Sequence, residues 1–194
     1  ILHEGRHLYA LKSAMRNDDN CFTTTGVVGE LDKYYTKLKE LDLTFFREDE
    51  IVRPISLFLD GLTEAISASR DCGVPRAERI VEKIDSKFKY YVDWMTKNPI
   101  PDGGMGYHGM SDTDREILAL SLALANERST RLFTGDVNHV GNTAKGIYGF
   151  NVPGDAPAKL LASELPANQL QVYAGLNEGW TLWMDSALRP QVRA

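Results

Sequence analysis

An α/β fold built on a parallel sheet is predicted for this chain, on three observations. The stretch DREILALSLALANERSTRLFTGD, residues 114–136, passes from a helix apolar on almost every side into a short strand that stops at Gly135-Asp136. Earlier, CFTTT at 21–25 has strand composition and leads directly into the amphipathic helix GVVGELDKYYTKLKELDL. Strand and helix then alternate along much of the chain, which is the pattern of a parallel sheet with crossover helices. In such sheets functional groups collect at the carboxyl ends of the strands.

Taken in order, EGRHLYALKSAMRND reads as a first helix, and CFTTT follows as a strand. The next helix carries Val27, Leu31, Tyr34, Leu38 and Leu41 on one stripe. Two more helices, at 48–70 and 76–97, present apolar stripes that include Phe58 and Leu62 on one and Ile84, Phe88 and Tyr91 on the other. They are expected to pack on each other as an insertion at 48–97. Between them RDCGVPRAE stops one helix at Gly73 and starts the next at Pro75. NPIPDGGMGYHG is a breaker-rich loop. Ser111 or Asp112 caps the apolar helix that follows, and acidic residues in its first turn suit the helix dipole. After TRLFT come a helix through HVGNTAKG and a strand at IYGFNV. A C-terminal extension from 154 holds a strand at NQLQVYAG and a closing helix at EGWTLWMDSAL.

With 194 residues and 43% hydrophobic content, the chain is expected to form one domain, 1–194. No run is long and apolar enough for a membrane span, so no membrane partner is expected. Cys21 and Cys72 lack metal-site spacing and fit free thiols in a cytoplasmic setting. The net charge of −5 argues against a surface that coats nucleic acid broadly, but not against an enzyme gripping a few phosphates.

Three carboxylates carry the chemistry. Glu30 falls on or beside the apolar stripe of its helix, where it either borders the stripe and reaches water or faces a pocket near the strand ends. Asp114 opens the apolar helix and Asp136 closes the strand after it; singly, they read as a helix-start residue and a turn residue. If the three share one cleft, each pair about 4 Å apart repels by roughly 4 kcal/mol at an effective dielectric near 20. A cation relieves that repulsion, and an all-oxygen set favours Mg²⁺ or Mn²⁺. The matching chemistry is metal-assisted hydrolysis of a phosphodiester. His108 and His139 flank the motifs and are candidates for phosphate contact. Lys33 and Lys37, a helical turn apart, form a small basic strip. GMGYHG at 104–109 matches G-x-G-x-x-G, but no strand precedes it, so a dinucleotide site is set aside.

In TTTGVVGELDKYY, SDTDREILALSLALA and LFTGD, taken in that order, the chain resembles the PIN domain, a family of metal-dependent nucleases that includes toxin ribonucleases. The resemblance covers roughly the first fifty residues and 109 to about 152. It implies a three-layer α/β/α domain with a mainly parallel central sheet. It also implies an endoribonuclease whose catalytic carboxylates are Glu30, Asp114 and Asp136, with Asp112 as a neighbouring metal ligand and Mg²⁺ or Mn²⁺ as cofactor. Thr134, Arg115, His108, Lys33 and Lys37 are then the candidate substrate contacts, RNA the expected substrate, and a homo-oligomer or an antitoxin-like protein an expected partner. PIN domains open with a strand ending in a metal-binding Asp, and ILHEGRH resembles the segment just after it. The expectation is therefore that this strand precedes Ile1 in the full protein. The alternative is an inactive PIN-like scaffold that binds RNA or protein.

Overall fold

Helices dominate the observed architecture. The computed structural model describes residues 2–44, 46–98, 110–150, 160, 163–176 and 179–189. Among them are six α-helices and a single sheet of three strands. The helices are α1 (Leu2–Asn17), α2 (Thr25–Lys39), α3 (Arg53–Ala68), α4 (Val74–Lys97), α5 (Asp112–Leu124) and α6 (Asn142–Ile147). The strands are β1 (Thr130–Thr134), β2 (Leu170–Leu176) and β3 (Gly179–Asp185). The expected three-layer α/β/α arrangement around a mainly parallel sheet is therefore overturned: the sheet is small and mixed, with β1 parallel and β3 antiparallel to β2.

Three local expectations fail, each for a reason in hydrogen bonding. CFTTT forms no strand. Its extended end is the entry to α2, where Thr24 takes β backbone angles and its hydroxyl accepts the Val27 N–H at 3.4 Å. IYGFNV forms no strand up to Phe150, because Ile147 still belongs to α6 and Gly149 turns the chain at φ 79°. EGWTLWMDSAL is a strand and not a helix: Gly179–Asp185 folds back on β2 across a short connection, and its Trp, Thr and Leu residues suit a pleated ladder.

Cα packing divides the chain into two compact units, Ile1–Glu82 and Lys83–Ala194. The first is helical. α3 packs on α1 and α2, and Val28, Phe58, Leu62 and Ile66 form its buried core, with Leu31, Tyr35 and Leu38 against it. Arg76 closes the exit from α1. Its guanidinium donates to the carbonyls of Met15 at 2.6 Å and Cys21 at 3.2 Å and pairs with Asp19. Cys21 and Cys72 are free thiols. α4 runs from one unit into the other, and Ile84 interrupts it with non-helical angles (φ −119°, ψ 20°). Of the residues expected to join the two long helices, Phe58 and Leu62 belong to the first unit, and Ile84, Phe88 and Tyr91 to the second.

In the second unit, α5 is the core. Leu118, Ala119, Leu120, Leu122 and Ala123 are fully buried, as a helix apolar all round must be. α5 leads through the turn at 125–127 into β1 and packs against it. Parallel pairing of β1 with β2 demands a long crossover, which includes the π-helical turn Val137–Gly141 and α6. Tyr91 is buried on α4, donating its hydroxyl to Glu164 O at 2.9 Å and accepting from Asn126 Nδ2 at 3.1 Å. No helix among the described residues is long and apolar enough to cross a membrane.

Candidate metal centre

The start of α5 and the end of β1 build one cluster. Ser111 sits in extended backbone as the N-cap of α5, and a reciprocal capping box follows. Its hydroxyl accepts the Asp114 N–H at 3.1 Å, and Asp114 Oδ2 accepts the Ser111 N–H at 3.1 Å. The same oxygen accepts the Ser111 hydroxyl at 2.8 Å. That hold orients the Asp114 carboxylate at the mouth of a helix whose body is buried.

Asp136 is fixed from the strand side. Its N–H donates to Thr134 Oγ1 at 3.0 Å, so the threonine positions the backbone as the strand ends. Asp136 then caps the π-helical turn: Oδ1 accepts the His139 N–H at 2.8 Å, and Oδ2 lies 2.9 Å from His139 Nδ1. The turn rests on a buried Val140 and Gly141.

These two supports bring ligand atoms of Asp114, Asp136 and His139 within 4.8 Å of one another, all at intermediate burial. At that separation two carboxylates repel by about 3 kcal/mol at an effective dielectric near 20, less where water reaches both. Two carboxylates and an imidazole form a donor set that suits a divalent ion. The oxygens favour Mg²⁺ or Mn²⁺, and the nitrogen adds preference for the softer metal.

The other sequence-predicted residues are placed as follows. Glu30 is not a member of this group; it is exposed on α2 in the first unit, as are Lys33 and Lys37. Asp112 is almost fully exposed and ion-paired with Arg115, which also donates to Met110 O at 2.7 Å. Thr134 positions Asp136 by its hydrogen bond. His108 and the glycine-rich loop around it lie outside the described residues. His139, expected only to flank the acidic motifs, stands within the group itself. Its signal is the Asp136-x-x-His139 spacing, because an N-cap side chain meets the backbone three residues on and brings that residue over the cap.

No protein-family model, curated protein or solved structure matches the chain.

Proposed function

We propose that this chain is a divalent-metal-dependent nuclease acting on RNA phosphodiesters, with Asp114, Asp136 and His139 holding Mn²⁺ or Mg²⁺. The observation that carries the reading is the approach of those three side chains to within 4.8 Å from separate elements. Motif order around Asp114 and Asp136, shared with PIN nucleases, is what points to RNA; the reading rests on the site and not on the sheet. A bound divalent ion supplies charge neutralisation on a phosphate and a more acidic water. The protein's own part is to hold the two carboxylates in place at a helix start and a strand end without reorganisation. Ser111 and Thr134 do this by hydrogen bonds to Asp114 and to the Asp136 backbone. His139 keeps the Asp136 carboxylate turned toward its own ring.

The rival, a non-catalytic scaffold, draws on the same hydrogen bonds, since both carboxylates also cap helical turns. Asparagine caps as well as aspartate, so Asp114→Asn and Asp136→Asn separate the two roles. Calorimetric titration of the chain with Mn²⁺ should show binding that weakens in each variant. Loss of a supporting partner alone costs about 10–100-fold in metal affinity, and loss of a ligand at least as much. Labelled RNA should be cut with Mn²⁺ and not with EDTA. Unchanged Mn²⁺ affinity in both variants, or cleavage that survives EDTA, overturns the proposal.

A further inference from the structure

The sheet has a second surface that the carboxylate cluster does not use. Its inward side is aliphatic and buried, with Leu132, Val172, Ala174 and Met184. Strand alternation turns Phe133, Tyr173 and Leu182 the other way, in a single cross-strand row. Phe133 is 51% exposed, Leu182 45% and Trp180 38%. The Phe133 and Tyr173 rings stack with centroids 5.1 Å apart and planes 18° from parallel. Trp180 is paired with Gly175, which has no side chain, and its indole meets Phe133 edge-on at 5.3 Å. Three rings therefore lie together on a solvent-facing sheet. The exposed parts of Phe133 and Tyr173 are apolar area that a covering ligand would take out of water.

Charge selects the ligand. Arg131, the preceding outward position on β1, is exposed and has no ion-pair partner among the described residues. The carboxylate of the same cross-strand row, Asp185, is already taken by Gln169, Gln171 and the Ala187 N–H. The cation beside the rings is thus Arg131, with the Asp185 carboxylate, still ionised, on the third strand of the same row. Aromatic faces with an adjacent cation match the bases and phosphates of a single strand. Asp136 follows Phe133 by three residues, across a bend at Gly135, so the rings and the carboxylate cluster share the carboxyl end of β1.

We propose that the outward face of β1–β3 is a base-stacking platform for single-stranded RNA, with Phe133 and Tyr173 taking bases and Arg131 a phosphate. The identity of the polymer rests on the nuclease reading above; the stacking does not. The test is fluorescence anisotropy of a labelled oligoadenylate decamer on the full chain, in EDTA so that no metal contributes. Phe133→Leu, which keeps an apolar side chain and removes the ring, should weaken binding about fivefold to a hundredfold, as should Tyr173→Leu. Arg131→Gln should weaken binding and lower the salt dependence by about one counterion. An abasic decamer should bind far more weakly than oligoadenylate.

Equal binding of the abasic strand, or unchanged affinity in Phe133→Leu with a native thermal transition, overturns the platform. Sedimentation showing self-association that Phe133→Leu abolishes would assign the face to a second copy, and overturns it equally. If Asp136→Asn binds the decamer as the parent does while the parent shows neither metal binding nor cleavage, the nuclease reading falls and the platform stands. If metal-dependent cleavage is unaffected by Phe133→Leu and binding is unchanged, the platform falls and the nuclease reading stands.

Discussion

Gly141 shows how a single atom's space governs the candidate site. A Cβ built there would lie 3.0 Å from both Cδ1 and Nε1 of Trp183, tighter than side chains tolerate without movement. Retreat of the ring would disturb its cation–π contact with Lys145, whose Nζ sits 3.8 Å from the centroid. The same glycine donates its N–H to Asp136 O at 3.1 Å, so displacement of the turn reaches the carboxylate and His139. Gly141→Ala is accordingly expected to cost about 1–3 kcal/mol, as overpacking does. Urea denaturation measures that cost, and Mn²⁺ titration should show affinity falling with it. A variant as stable as the parent would mean that Trp183 moves without consequence. None of this is legible in HVGNTAKG, where the glycine reads as an ordinary helix residue; its partner lies on a strand much later in the chain.

At the scale of elements, the β2–β3 hairpin turns on Asp185. Although burial alone would push this carboxyl up, hydrogen bonds from Gln169, Gln171 and the Ala187 N–H hold it below the ordinary carboxylate range. A carboxyl whose pKa is lowered by folding adds stability that is fully present above its unfolded pKa and is lost as pH falls through the folded one. Asp185→Asn should therefore destabilise the chain at neutral pH by about 1 kcal/mol. The gap to the parent should begin to close near the unfolded carboxylate pKa of about 3.9 and vanish only below the lowered folded value. Urea midpoints of both proteins across that range check the sign. A gap that widens on acidification would refute the assignment. The strand itself reads as a helix in sequence because its two tryptophans and Met184 fit an apolar helical face as well as an alternating strand. By contrast α5 is legible to its cap, since Ser111, Asp114 and an apolar body all act locally.

For the molecule as a whole, a metal that binds only the folded state adds stability by mass action. At a hundred times its dissociation constant, Mn²⁺ should contribute about 2.7 kcal/mol to the unit that holds it. Because Asp114, Asp136 and His139 all belong to Lys83–Ala194, the gain should appear in the unfolding of that unit. Thermal denaturation of the parent chain should shift upward with Mn²⁺ and return with EDTA, while Asp136→Asn should not respond. A parent transition indifferent to Mn²⁺ would remove the ion from the account. Glu30 is the informative contrast: motif order groups it with the two aspartates, yet it stands exposed on α2 in the other unit.

What the sequence determined by itself is whatever depends on near neighbours. Helical periodicity, the Ser111 cap, and the strands at TRLFT and NQLQVYAG each act within a turn or a strand length, and each is formed, whereas the stop expected at Gly73 is not, because the chain stays helical through Ser69–Gly73 into α4. Only the tertiary structure decided which extended segments find a ladder. CFTTT has strand composition but becomes a helix entry, while EGWTLWMD pairs with β2, because a strand is stabilised by a partner that its own residues do not specify. The same holds for the site. Asp114 and Asp136 are local caps when read singly, and they become a candidate metal centre only because α5 packs against β1 and brings their carboxylates together.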